Sequence, residues 1–104
     1  MSDIVSVYAV FADADEAARI GRDMIARGLA ACVNILAPCL SIYRWKGAIE
    51  EAIETPAIFK TTAARTEELI AAIGDAHSYD TPAIVVWPIA AADEQYYRWI
   101  NQSD

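Results

Sequence analysis

The sequence has few basic residues and no cluster of them. Only 8 Lys and Arg side chains stand against 15 Asp and Glu, so the 104-residue chain carries a net charge of −7. Proteins that bind nucleic acids or anionic membranes need clustered cations to replace the counterions of the polyanion. The sequence therefore predicts no nucleic-acid partner and no membrane partner.

Long apolar runs and a secretory signal are also lacking. No apolar stretch approaches the roughly 20 residues that span a bilayer, and the opening MSDIVSVYAVF has neither a basic segment nor a small-residue cleavage site. We therefore expect a cytoplasmic protein. Because the cytosol keeps thiols reduced, the two cysteines, Cys32 and Cys39, are expected to be free.

Cysteine and histidine are too scarce for the common metal and redox motifs. Both cysteines lie in ACVNILAPC (residues 31–39), and His77 is the single histidine. Neither a CxxC redox motif nor the paired-cysteine spacing of a zinc site is present. The chemistry of these residues favours two small buried thiols and a hydrogen-bonding histidine at a helix end, with a metal site at Cys32 and His77 as the alternative.

Hydrophobic residues are abundant. They make up 56% of the chain, with three Trp and five Tyr among them. We expect a single domain over residues 1–104, because chains divide only when one core stops growing, well above this length. This hydrophobic content exceeds what so small a domain can bury, which predicts that further copies of the chain cover part of the apolar surface.

The pattern of apolar and polar residues predicts the order strand, helix, strand, hairpin strand, helix, strand, helix. Residues 4–11 form a β-branched apolar run, which is typical of a central strand buried on both faces. Asp13 and Glu16 have the spacing of a capping box at the start of the first helix, and Gly28 is placed to end it. Thr62 is the expected cap of a second helix that runs to about residue 76.

A long hairpin is predicted in the middle of the chain. A strand over residues 29–36 leads into residues 40–45, whose side chains alternate, and a Lys-Gly turn starts the return strand. Pro56 is expected to break or bulge that return, since it has no N–H to donate. A strand at residues 83–89 and a helix at residues 93–102 follow. The predicted fold class is α+β, a ferredoxin-like βαββαβ sheet with extended hairpin strands, two helices on one face and a short C-terminal helix.

Five ordered segments of the chain resemble the CutA1 divalent-cation tolerance proteins. They are GLAACVN (28–34), SIYRWKG (41–47), Glu54 with FKT (59–61), HSYDTP (77–82), and Tyr96 with Trp99. The resemblance covers nearly the whole chain in order and spacing. It implies a ferredoxin-like fold in a tight homotrimer similar to that of PII signalling proteins, with clefts between the subunits and no established chemical reaction.

The resemblance also implies candidate site residues. Cys32 and His77 match positions that are associated with copper binding, so copper or another divalent cation is the expected cofactor, with no organic cofactor. Some members of the family add a cysteine in the first strand, where this chain has Ala9, and Cys39 is peculiar to this chain. The predicted cleft or interface residues are Asn34, Tyr43, Trp45, Glu54, Lys60, Tyr79 and Trp99.

Two functions remain open on the sequence. The first is divalent-metal binding at intersubunit clefts through Cys32 and His77. The alternative is a PII-like signalling or structural trimer whose clefts accept a small anion, near Lys60, or a protein partner, with metal incidental. We do not expect an enzyme, because nothing in the sequence supplies a third group to orient Cys32 as nucleophile and His77 as base.

Overall fold

The computed structural model describes residues 3–102 as one antiparallel sheet with three helices. The elements are β1 (Ile4–Phe11), α1 (Ala14–Ala26), β2 (Cys32–Ile35), β3 (Cys39–Trp45), β4 (Ala48–Thr62), α2 (Thr66–Ala76), β5 (Ile84–Pro88) and α3 (Glu94–Gln102). The strand order is β2-β4-β1-β5, and β3 also pairs with β4. This order confirms the predicted α+β, ferredoxin-like fold.

The main hydrophobic core lies between one face of the sheet and the helices α1 and α2. Alternate residues of β1, beginning at Val5, contribute to this core, as expected for a strand whose side chains alternate between faces. Ala9 is fully buried in it. Further large side chains in the core are Phe11, Ile20, Met24, Phe59, Leu69 and Ile73.

Local chemistry sets both ends of α1 as predicted. The Asp13 carboxylate accepts a hydrogen bond from the Glu16 N–H at 2.8 Å, and Glu16 reaches back to the Ala12 N–H at 3.1 Å. At the other end Gly28 has φ 70, a left-handed conformation that glycine adopts without steric cost. Its N–H and that of Leu29 bond to carbonyls in the last turn of the helix, which is the arrangement of a Schellman motif.

The hairpin differs from its prediction at Pro56. Strand β4 continues through this residue, which pairs with Val10 of β1. The Pro56 carbonyl accepts a hydrogen bond from Leu36, so its missing N–H also lies on the β2 side, because both groups of a strand residue point to the same neighbour. The interruption lies in the segment that pairs with β4, between the end of β2 at Ile35 and the start of β3 at Cys39. Strand β4 itself is unbroken.

The start of the second helix is also different. Thr62 makes no side-chain capping bond, and a 3₁₀ turn (Ala63–Arg65) precedes α2. The Thr66 hydroxyl instead donates to the Thr62 carbonyl at 3.0 Å. The expectation that the Thr62 side chain caps the helix was therefore wrong, because the tighter turn uses the backbone of Thr62 and the side chain of Thr66.

The second face of the sheet is only partly covered. Helix α3 packs there through Ile100, which joins Ile4 and Ala31 in a small second core. Further along this face Tyr8 and Trp87 stack with their ring centroids 4.8 Å apart, and Trp87 is 47% exposed. None of the helices within residues 3–102 is long and apolar enough to cross a membrane.

Candidate functional site

A groove of roughly 480 Å³ lies where the β3–β4 hairpin meets the loop that follows α2. This hairpin is called the arm below and comprises β3 and the paired half of β4, residues 39–54. The groove is open to solvent, and its lining combines aromatic, hydroxyl and carboxylate side chains. The lining residues are Ser41, Tyr43, Trp45, Glu50, Glu54, Tyr79, Asp80, Thr81 and Ala83.

Strand alternation places the arm residues of the groove. Ser41, Tyr43 and Trp45 share one face of β3, and the pairing of Tyr43 with Glu50 adds a carboxylate from β4 to the same face. Side chains between them point to the other face of the arm. That other face is exposed and mostly apolar: it includes Leu40, Ile42, Ile49 and Ile53, together with the charged residues Arg44 and Glu51.

A hydrogen bond joins the two walls of the groove. The Tyr79 hydroxyl donates to Glu54 Oε2 at 2.8 Å. Burial of the phenol, together with this hydrogen bond and the negative charge of Glu54, raises the pKa of Tyr79 to about 12. Tyr79 therefore stays neutral at physiological pH and acts as a hydrogen-bond donor that ties the loop to the arm.

His77 lies beneath this loop, with a side chain that has no exposed surface. Its Nε2 is 2.7 Å from the Val10 carbonyl, and its Nδ1 accepts the Tyr79 N–H at 3.0 Å. The ring also stacks on Phe11 at 5.0 Å between centroids. Both ring nitrogens are thus engaged, and His77 holds the loop against the end of β1.

Glu16 supports the same loop from α1. Its carboxylate accepts N–H groups from Ser78 at 3.0 Å and from Ala12 at 3.1 Å, and Oε1 lies 4.0 Å from His77 Nδ1. Burial favours the protonated acid, but the hydrogen bonds with Ser78 and Ala12 outweigh it and lower the pKa of Glu16 below its usual value. The capping residue of α1 thereby becomes an anchor for the groove loop.

Cys32 lies on the other face of the sheet. Its neighbour Val33 packs towards α1, where a Cβ on Gly21 would lie 3.0 Å from it, so Cys32 points away from α1, to the face on which α3 packs. The thiol is partly exposed and lies 3.4 Å from the Tyr96 hydroxyl. Burial and the contact with Cys32 raise the pKa of Tyr96 to about 12.

The other predicted residues of this second region lie close to Cys32. Lys60 is its pairing partner on β4, and Asn34 shares its face of β2. Trp99 stacks on Tyr96 with ring centroids 5.9 Å apart. The predicted site residues therefore fall into two groups. Tyr43, Trp45, Glu54 and Tyr79 line the groove, with His77 beneath its loop, and Cys32, Asn34, Lys60 and Trp99 lie on the second face of the sheet.

Within one protomer the structure does not bring Cys32 and His77 together. Cys32 pairs with Lys60, which pairs with Ser6, whereas His77 binds Val10 four residues further along β1. With standard strand spacings this separates them by roughly 13 Å along the sheet and about 10 Å across it. Residues 3–102 contain no group of three or more His, Cys, Asp or Glu side chains that fits one metal ion.

Three residues that matter here were missed by the sequence reasoning. The sequence analysis assigned Glu50 to a strand and to no site. Counting residues outward from the Lys-Gly turn would have shown that Glu50 pairs with Tyr43. Asp80 lies in the HSYDTP segment, where His77 and Tyr79 drew attention. Glu16 was recognised as a helix cap, and no sequence signal connects it with a loop 62 residues further on.

Comparison with known proteins gives consistent matches over the whole chain. The model of the CutA1 divalent ion tolerance protein family matches residues 5–103. The divalent-cation tolerance protein CutA from Salmonella newport is 33% identical over 101 residues, which are 97% of this chain and 88% of that protein. CutA from Xylella fastidiosa has a TM-score of 0.95 at 30% identity, and the match covers 98% of each chain.

A further solved structure bears on location. The periplasmic divalent cation tolerance protein CutA from Archaeoglobus fulgidus has a TM-score of 0.93 at 34% identity, covering 96% of this chain and 97% of that chain. The cytoplasmic location expected from the sequence therefore stays a prediction. The family match, the identities and the shared fold agree with the five sequence segments and with the observed order of strands. This chain belongs to the CutA1 divalent ion tolerance protein family.

Proposed function

We propose that this protein is a homotrimer that binds divalent cations, copper among them, and contributes to tolerance of these cations. The observation that carries the proposal is the match of almost the whole chain to a family of divalent ion tolerance proteins. A binding role is favoured over catalysis because Cys32 and His77 lie on different sides of the sheet and form no nucleophile and base pair within the protomer.

The exposed apolar surface supports the trimer. On the arm, Leu40, Ile42, Ile49 and Ile53 are each more than half exposed on one face. Contiguous apolar patches of this kind mark protein interfaces, and an arm that extends from the body is suited to pack against a neighbouring subunit.

Cys32 is the first proposed copper ligand. A thiolate is the ligand type that Cu(I) prefers, and the Cys32 thiol is partly exposed, with the Tyr96 hydroxyl beside it. His77 is proposed as the second ligand, from a different subunit, since one protomer holds the two apart. A metal at Nδ1 would replace the hydrogen bond from the Tyr79 N–H.

Native mass spectrometry of the reduced protein titrated with copper tests this function. We expect a trimer that takes up three copper ions, and loss of that uptake in Cys32→Ser and in His77→Gln. Cys39→Ser is the matched control, because Cys39 contacts Ser41 in the arm and is no part of the proposed site. A trimer with scattered, substoichiometric copper would contradict the metal function, and a monomer would contradict the assembly.

One observation favours the second candidate function, a PII-like trimer that binds a small anion or a protein partner with metal incidental. Lys60 is half-buried on the face of Cys32, and no ion pair within residues 3–102 includes it. A cation without a counterion at an intersubunit cleft suits an anion. Titration with inorganic phosphate tests this function, with Lys60→Gln as the test variant and Lys46→Gln as its control. We expect saturable phosphate binding that Lys60→Gln abolishes and Lys46→Gln leaves unchanged. Absence of phosphate binding by the wild type would contradict this function.

A further inference from the structure

The groove has the dimensions and walls of a small-molecule site, and the proposed metal function does not use it. Its volume of roughly 480 Å³ is within the range of about 300–1,000 Å³ that is typical of ligand sites. The aromatic side chains of Tyr43, Trp45 and Tyr79 line it, together with a few polar groups. Such a combination is typical of sites that hold an organic ligand.

The charge of the groove points to a cation. Glu50, Glu54 and Asp80 line it, and no Lys or Arg does. Within residues 3–102 none of these three carboxylates takes part in an ion pair. Glu54 accepts one hydrogen bond, from Tyr79 at Oε2, and Oε1 has no protein partner in the described chain. A concave surface with charge of one sign concentrates ligands of the opposite sign.

The arrangement does not suit a bare metal ion. Hard divalent cations take several oxygen ligands at about 2.0–2.6 Å from one centre. In the described part of the chain no three acidic, His or Cys side chains converge in that way. Carboxylates distributed along a groove with aromatic walls suit a longer cation, whose charged groups reach separate carboxylates while its hydrocarbon part contacts the rings.

An independent contact indicates that the aromatic wall attracts ammonium groups. The Lys46 ammonium lies 5.8 Å from the centroid of the Trp45 ring, within the range of a cation–π interaction. Trp is the side chain that makes this interaction best, and Trp45 is 47% exposed. A ligand ammonium is therefore chemically suited to this wall as well as to the carboxylates.

We propose that the groove binds a small organic cation, an aliphatic diamine or an alkyl guanidine. Its cationic groups pair with Glu50, Glu54 and Asp80, and its methylene chain packs against Tyr43 and Trp45. This goes beyond the proposed metal function, because neither proposed copper ligand, Cys32 or His77, lines the groove and the binding needs no copper. It rests on the proposed trimer only in that the assembly leaves the groove open.

Isothermal titration calorimetry of the native oligomer, reduced and treated with EDTA, tests the proposal. The probes are 1,4-diaminobutane and 4-guanidinobutylamine, with 1,4-butanediol as the uncharged control of the same length. We expect saturable binding of one molecule of either cation per chain, weakening as salt is added, and no binding of the diol. Equal heats for the diamine and the diol, or no binding of the diamine, would overturn the proposal.

Variants then locate the binding. Glu50→Gln and Asp80→Asn should each weaken diamine binding about tenfold, as expected for loss of a charge-assisted hydrogen bond. Glu51→Gln makes the same charge change one residue along β4, but Glu51 pairs with Ile42 on the opposite face of the arm, so it should leave binding unchanged. Equal weakening by Glu51→Gln would mean non-specific attraction and refute the site. If the wild-type protein takes up copper but does not bind the diamine, this inference is refuted and the proposed metal function is not.

Discussion

Among single residues, His77 shows how hydrogen-bond partners determine which ring nitrogen carries the proton. The Tyr79 N–H can only donate, so Nδ1 accepts and carries no proton. The Val10 carbonyl can only accept, so Nε2 carries the proton. The neutral ring therefore satisfies both partners, which fits a fully buried side chain that stacks on Phe11.

This pattern predicts the tautomer that NMR should detect. In long-range ¹H–¹⁵N spectra of the metal-free protein at pH 7.5, we expect His77 in the Nε2–H form, with Nδ1 unprotonated. Addition of Cu(I) should then change the His77 signals only if copper displaces the Tyr79 N–H. Observation of the Nδ1–H tautomer would contradict the hydrogen bonds on which the role of His77 in holding the loop depends.

Glu16 predicts a loss of stability in acid. Its pKa is lowered in the folded protein, so its stabilisation is complete above the unfolded value of about 4.3 and disappears as the pH falls through the lower folded value. Glu16→Gln keeps the size but loses a charged acceptor of two backbone N–H groups. It should lower the free energy of unfolding at pH 7 by about 1–2 kcal/mol.

Urea unfolding from pH 7 to pH 3 at one protein concentration measures this effect. The difference between wild type and Glu16→Gln should shrink as the pH falls below about 4.3. Glu67→Gln is the control, because Glu67 is an exposed carboxylate in the first turn of α2. A difference that stays constant down to pH 3 would show that the Glu16 charge contributes nothing to the stability of the loop.

At the scale of elements, glycines of two helices offer a matched test of packing. Glycine lowers helix stability by about 0.5–1 kcal/mol relative to alanine. A Cβ on Gly74 of α2 would meet nothing within 4 Å, whereas a Cβ on Gly21 of α1 would lie 3.0 Å from Val33 Cγ1. Gly74→Ala should therefore raise the free energy of unfolding by about 0.5–1 kcal/mol, and Gly21→Ala should gain nothing or lose stability. Chemical unfolding of both variants measures this, and an equal gain would mean that α1 and β2 have room to separate.

Elements with local signals were predicted well, and those that depend on distant contacts were not. The bounds of β1 and the caps of α1 follow from nearby residues, since apolar runs and capping boxes act within a few positions. Pro56 was misjudged because its effect depends on which neighbour its missing N–H faces, a property of sheet order. The coverage of the second face by α3 likewise depends on Ile100 meeting Ile4 across the chain.

The candidate site was also predicted only in part, because some of its features are local and others depend on distant contacts. Alternation along β3 predicted that Tyr43 and Trp45 share a face, and the structure places both in the groove. The separation of Cys32 from His77 was not predictable, because it follows from the two residues' positions in the finished sheet. Family resemblance names positions one at a time, and it does not say which of them meet within one protomer.

At the scale of the whole molecule, the protomer exposes more surface than a compact domain of its mass. Its accessible area is 6331 Å², against roughly 5,800 Å² expected for a monomer of 11.4 kDa. The radius of gyration is 14.3 Å, above the value of about 13 Å for a compact domain of this length, and the longest extent is 45 Å. The protruding arm accounts for this shape, and its apolar face gives a reason for assembly.

Ile53→Lys tests whether the apolar face of the arm forms the assembly. Ile53 is 66% exposed in the protomer, so a lysine there leaves the protomer core intact. In an apolar contact between subunits the same lysine would bury an unpaired charge, which is strongly unfavourable. Light scattering after size exclusion should give about 34 kDa for the wild type, three times the 11.4 kDa of one chain, and a smaller mass for the variant. Ala71→Lys, at an exposed position of α2, should remain trimeric. If Ile53→Lys also remains trimeric, the apolar side chains on this face of the arm do not form the contact between subunits.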